Sequence, residues 1–200
     1  GGVAGLDGGE VAVDDVPVVG PQPQRPHLAE QAGPQRRAVP PPVVRQELAL
    51  EPGDVHADGE FGTGVRVAVL DSGIDVDHPD LDFAGGEDFV NDDSDPDDDN
   101  GHGTHVAGLI AAESDEMTGV APRSTLIAYK VLDAVGSGRQ SDVIAALERV
   151  VDPNGDGDPS DHLDVANLSL GGVGTPDDAQ SRAVDAAVAA GVIVCVAAGN

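Results

Sequence analysis

Three short stretches of the chain hold side chains able to move a proton or to steady a developing negative charge. Asp71 closes the apolar run Val65–Leu70 and is followed by Ser72-Gly73. Asn100-Gly-His-Gly-Thr-His105 sets His102 between two glycines, directly before the helix-like VAGLIAA. Ala197-Ala-Gly-Asn200 brings an asparagine amide to the end of another apolar run. A carboxylate, an imidazole and an amide can serve acyl transfer as orienting acid, general base and oxyanion donor. His102 at a helix N-terminus would face the positive end of the dipole, which disfavours imidazolium and keeps a base neutral. Taken singly, each group has a plainer reading. Asp71 can be a turn former and Gly-Asn a turn. The two histidines can be polar core residues or, at i, i+3, a metal pair, and His105 reads as structural.

The elements that must position these groups are legible from Phe61 onward. Val65–Leu70, Thr125–Leu132, Asp164–Leu170 and Val192–Ala197 read as buried strands. Between them the spacing predicts helices over about His102–Ala112, Ser141–Val151 and Asp177–Ala190, with Ser141 and Asp177 as N-caps and Gly191 as the glycine past the last turn. Strands alternating with helices predict an α/β fold, a doubly wound and mostly parallel sheet with helices on both faces. In such sheets ligands gather beyond the carboxyl ends of the strands, which is where Asp71 falls.

Together these stretches resemble the subtilisin-like serine proteases, the subtilases. The resemblance covers about Phe61 to Asn200 and rests on four ordered blocks: VAVLDSGID (67–75), NGHGTHVAG (100–108), NLSLGG (167–172) and AAGN (197–200). It implies a serine endopeptidase in which Asp71 orients His102, His102 takes a proton from a serine, and Asn200 donates to the oxyanion. It implies polypeptide substrates clamped as added strands by Gly136-Ser137-Gly138 and by Ser169-Leu170-Gly171. Leu170 and Val143 would line an apolar pocket, and Ala197, Ala198 and Gly199 would border the pocket at the cut. Taken alone, Gly136–Gly138 reads as a flexible loop. The family's nucleophile sits in a Gly-Thr-Ser block after the oxyanion Asn, and none of the nine serines here has that context. The serine is therefore expected beyond Asn200, the domain is expected to be incomplete, and residues 1–200 alone are expected to be inactive.

Asp88–Asn100 (DFVNDDSDPDDDN) is densely acidic, and such a run is either solvated or holds a cation. The resemblance to the calcium loop of thermitase-type subtilases implies Asp88, Asn91, Asp93, Asp95 and Asp97 as ligands, and oxygen donors without His or Cys favour calcium. Asp80 matches a ligand of a second family site, whose partner loop would lie between Ala112 and Gly119. Asp152–Asp158 (DPNGDGD) begins like an EF-hand loop, but Leu163 stands where that loop needs Glu.

Composition narrows the field further. Thirty-seven acidic against ten basic residues give a net charge of −27, which excludes phosphate backbones and anionic membranes as partners. One cysteine excludes an internal disulfide framework. No stretch is long and apolar enough for membrane insertion. Secretion and a monomeric state are expected from the resemblance. Residues 1–60, Pro- and Gly-rich and without a sustained period, are expected to be irregular: a linker, a pro-region remnant or non-native sequence. The chain starts with Gly1 and stops at Asn200 straight after a strand, so both ends look cut. Against the peptidase stands a non-catalytic subtilase-like module binding peptide or calcium, which a substituted serine after Asn200 would mark. A phosphatase with Asp71 as nucleophile lacks the second Asp two residues on, where Gly73 stands. A nucleotide-binding domain lacks G-x-G-x-x-G after the first strand.

Overall fold

The run Arg66–Asp71 is apolar at every position between its charged ends and forms the central strand of the molecule, with Val69 and Leu70 fully buried. The computed structural model describes residues 10–12 and 52–198. In chain order the elements are β1 (Glu10–Ala12), α1 (Pro52–Ala57), β2 (Arg66–Asp71), β3 (Phe83–Asp88), α2 (His102–Ala111), β4 (Thr125–Lys130), β5 (Ser137–Arg139), α3 (Gln140–Val151), β6 (Val165–Leu168), α4 (Ala179–Ala190) and β7 (Ile193–Val196). The main sheet has the order β3-β4-β2-β6-β7 and every pairing in it is parallel.

Strand alternation splits the apolar side chains between two cores. Val67 and Val69 of β2 join Leu126 and Ala128 of β4 beneath Val106, Ala107 and Ala111 of α2. Ala68 and Leu70, with Tyr129 and Val131, face Val143, Ala146 and Leu147 of α3 and Ala187 of α4. Helices therefore cover both faces, as the alternating pattern predicts. Each fully buried Val or Leu in these layers contributes about 1.5–3 kcal/mol. The core is almost free of aromatic rings; Phe89 and Tyr129 meet edge to face at 5.7 Å.

The four predicted strands and three predicted helices are all present, with ends shifted by one or two residues. Two caps need correction. Arg139, not Ser141, is the N-cap of α3 and makes no side-chain cap bond, because β5 runs straight into the helix. Asp178, not Asp177, caps α4: its Oδ1 accepts from the Ser181 N–H while Oδ2 accepts from Thr175 N. These bonds hold its carboxyl below the usual carboxylate range. Gly191 ends α4 at φ 113°, the left-handed conformation expected there.

Strand β3 (FAGGED) is unpredicted, since two glycines weaken any strand signal. Gly86 belongs there because a Cβ would lie 1.9 Å from the Ala128 carbonyl oxygen, so only glycine lets β3 reach β4. Within the segment read as irregular, Glu10–Ala12 is a strand and Pro52–Ala57 a helix; residues 1–9 and 13–51 lie outside the described residues. At the far edge, Ile193 and Val196 of β7 are 63% and 54% exposed.

Candidate active site

β2 is the strand at which the chain's course divides, with β4 and β3 to one side and β6 and β7 to the other. The crevice at its carboxyl end is the place where such sheets bind ligands. Asp71, the last residue of β2, sits in it with no solvent exposure. Helix α2 begins at His102 after Gly101, whose φ of 100° requires glycine. Thirty-one positions apart in sequence, His102 Nδ1 and Asp71 Oδ1 are 2.7 Å apart. The same Oδ1 accepts the Ser72 N–H at 2.7 Å, whereas Oδ2 is buried and has no partner. Burial raises the Asp71 carboxyl above the usual carboxylate range, only partly offset by the bonds from His102 and Ser72. The His102 side chain is 35% exposed. A carboxylate sealed from water on one ring nitrogen, with the imidazole itself still partly exposed, is an arrangement suited to an oriented general base.

The strand end and the helix start are fastened together by groups that the motif reading passes over. Asp98 Oδ1 accepts from Ser72 Oγ, Asn100 N and Gly101 N, and Oδ2 accepts from Thr104 N and Thr104 Oγ1. Burial pushes Asp98 up, but these hydrogen bonds, that of the Thr104 hydroxyl first, outweigh it and hold the carboxyl low. Ser72 Oγ in turn accepts the Gly103 N–H at 2.9 Å. Asp98 four residues before the helix start, with Thr104 inside the first turn, is a polar capping signal that could have been read from the sequence.

Gly103 packs against the turn after Asp71 so closely that a Cβ would lie 2.0 Å from the Gly73 carbonyl oxygen. Gly103→Ala is expected to cost about 1–3 kcal/mol by overpacking and to part His102 from Asp71. Gly108, in the same helix with nothing within 4 Å of its Cβ position, is the control. Gly108→Ala is expected to stabilise by about 0.5–1 kcal/mol. Urea midpoints of the two variants check the opposite signs.

The segments expected to grip a peptide fall in two places. Ser137 and Gly138 lie in β5 directly after Gly136 (φ 76°), and β5 is not a loose loop. It pairs antiparallel with β1, Val11 opposite Gly138 and Ala12 opposite Ser137. Glycine is needed at 138 because a Cβ would lie 2.0 Å from the Val131 carbonyl oxygen. Ser169, Leu170 and Gly171 follow β6, and Leu170 and Gly171 line a cleft of about 550 Å³ that also takes in Val196, Ala197 and Val184. Neither Asp71, His102 nor Val143 lines that cleft; Val143 is wholly buried in the core under α3. Gly199 and Asn200 lie outside the described residues.

His105 is exposed one turn along α2 and not a core group. Among the described residues no three or more His, Cys, Asp or Glu side chains converge as metal ligands do. Asp88 is buried, its Oδ1 accepting from Val90 N and Asn91 N and its Oδ2 from Asn91 Nδ2. Asn91, Asp93, Asp95 and Asp97 are exposed, with Asp93 Oδ1 accepting from Asp95 N and Asp97 Oδ1 from Val76 N. Asp80 meets the 112–119 loop through its carbonyl, which accepts the Glu113 N–H. The carboxylates of Asp152, Asp156 and Asp158 accept backbone N–H groups of their own loop.

Comparison with known proteins bears on the same residues. The model of the subtilase family matches residues 62–200. Over 149 residues the chain is 46% identical to subtilisin of Bacillus pumilus, covering 73% of this chain and 51% of that protein. It is 46% identical over the same length to subtilisin E of Bacillus subtilis (strain 168), 37% of which is covered. To the serine protease AprX of the same organism it is 44% identical over 150 residues, 70% of this chain and 34% of the relative. The chain thus spans about half, or less, of the length of these curated relatives.

Proposed function

The chain belongs to the subtilase family, and from that premise we propose that it is the Asp- and His-bearing portion of a serine endopeptidase. The observation that carries this is the 2.7 Å contact between His102 Nδ1 and the buried Asp71 carboxylate. Asp71 fixes the ring and offsets the charge it gains, leaving Nε2 to take the proton of a serine hydroxyl as that oxygen attacks the peptide carbonyl. The same nitrogen then returns the proton to the departing amine. On this reading the serine lies outside residues 1–200; that the chain covers only 51% and 37% of two relatives leaves room for it. Asn200 donates to the oxyanion, and the loss of one such donor would raise the barrier by about 3 kcal/mol.

Polypeptide binding has its own support. The backbone of Ser137–Arg139 accepts an antiparallel strand from the chain's own Glu10–Ala12, so this edge is competent for β-augmentation. Leu170, Gly171 and Ala197 share a cleft with room for a side chain. The protein acts as a secreted monomer on this reading; among the described residues no helix is long and apolar enough to cross a membrane. The test of the whole reading is hydrolysis of a chromogenic peptide by the gene product that includes the sequence after Asn200. Activity lost in His102→Ala supports it, and an inert product contradicts it.

A structural calcium in the 88–97 loop is the second part of the proposal. Asp88 does not fit as a free ligand, because its oxygens already hold three donors. Asn91, Asp93, Asp95 and Asp97 are exposed on one short loop, which leaves them able to reach a cation. Calcium at a hundred times its dissociation constant is expected to add about 2.7 kcal/mol of stability, and Asp93→Ala to remove the gain. Thermal unfolding with calcium, and with magnesium as control, checks this; a midpoint indifferent to calcium contradicts it.

A further inference from the structure

The chain contains a single lysine; its nine other basic residues are arginines. That lysine, Lys130, is 2% exposed. It ends β4 in register with Asp71 at the end of β2. Side chains two apart on a strand share a face, so Lys130 lies on the same side of the sheet as Leu126 and Ala128, the side covered by α2. Its Nζ donates to the Ser72 carbonyl at 2.6 Å and to Asp99 Oδ1 at 2.6 Å. Ser72 is the residue after Asp71, and Asp99 stands three residues before His102.

Packing does not explain a lysine here. A methionine or leucine would fill a similar volume without the desolvation of an ammonium, which only well-placed partners offset. Among the described residues the two partners of its ammonium lie in the two segments that carry the reactive pair. Ser72 is held twice over: its hydroxyl donates to Asp98 and its carbonyl accepts from Lys130. With that residue fixed at both ends, the Asp71 carboxylate is left little freedom to turn away from the imidazole.

We propose that Lys130 is a positioning residue for the Asp71–His102 pair, its buried ammonium tying the turn after Asp71 to the loop that leads into His102. The proposal rests on the reading of those two residues as a catalytic pair, but its test needs no nucleophile. In residues 1–200 the Nδ1 proton of His102, held by Asp71, gives an NMR signal whose exchange with water reports the hold. Lys130→Met is expected to speed that exchange about tenfold or more, the loss of a charge-assisted hydrogen bond. Asp99→Ala, which frees the loop but keeps the bond to Ser72, is expected to speed it less, about threefold. Val143→Ala, which lowers stability from the opposite core, is expected to leave the exchange unchanged.

Wild-type exchange in both Lys130→Met and Asp99→Ala overturns the proposal. So does an equal acceleration in Val143→Ala, which would reduce the lysine to general stability. If Lys130→Met does not fold, Asp99→Ala decides by itself, since Asp99 is half exposed and can be truncated without opening a core. Faster exchange in a protein that never cleaves peptides would keep Lys130 in its role and remove the peptidase reading. Peptide cleavage with wild-type exchange in the variants would do the reverse.

Discussion

Asp71→Asn is expected to give a chain more stable at neutral pH and, wherever the nucleophile is present, about ten-thousandfold slower in kcat. Both effects come from one buried carboxylate. In the folded chain its pKa lies above the unfolded value of 3.8, mainly because burial disfavours the charged form. Between those two values the native state binds more proton than the unfolded one, so stability falls as pH rises through that window. Asparagine removes the charge and with it the decline. Below pH 3.8 the carboxyl is neutral in both states, and there the two chains should converge. Catalysis moves the other way. An amide can present its NH₂ to Nδ1, which places the ring proton on Nε2, where the attacking serine needs a lone pair. Urea midpoints at acid and neutral pH, together with kcat on a chromogenic peptide, check both. A chain destabilised at neutral pH, or one with near-normal turnover, would contradict this account of Asp71.

Residues 1–200 on their own are expected to be inert, with turnover about a millionfold below a complete peptidase. Among the described residues the His102 ring has one hydrogen-bond partner, Asp71, and no serine hydroxyl bonds to it. The nearest serine in sequence to the pair, Ser72, is fully buried and committed, donating to Asp98 and accepting from Gly103. A nucleophile must reach both the base and the substrate carbonyl, and Ser72 can do neither from that position. Treatment with a serine-directed fluorophosphonate is the check. No labelling is expected from residues 1–200, and specific labelling lost in His102→Ala would show that a serine within them serves after all.

The sequence made the sheet and the pair legible for different reasons. β2, β4, β6 and β7 are short apolar runs bounded by turns; burial on both faces leaves the inner strands β2 and β4 no polar alternation to obscure them, and β7 is apolar throughout although Ile193 and Val196 are exposed at the edge. β3 was hidden because its contact with β4 depends on the absence of a side chain at Gly86, and propensity counts a glycine against a strand. The caps at Ser141 and Asp177 were misplaced because tertiary pairing fixed the starts: β5 leads directly into α3, and a turn from Thr175 selects Asp178. Asp71 and His102 stood out through the glycines and short blocks around them. Lys130 did not, because its bond to Ser72 spans 58 residues and leaves no local spacing to read, whereas Asp98, bonded to Asn100, Gly101 and Thr104 close by in sequence, carried a local capping signal that the motif blocks overshadow.

The central claim is that Asp71 holds His102 with its proton on Nδ1 and its lone pair on Nε2. The ¹⁵N spectrum of histidine-labelled residues 1–200, taken at a pH where the imidazole is neutral, reads this directly, since protonated and bare ring nitrogens resonate far apart. The account predicts a protonated Nδ1 and a bare Nε2 at His102, with that order lost in Asp71→Asn. A ring protonated on Nε2, or one that Asp71→Asn leaves unchanged, would contradict it.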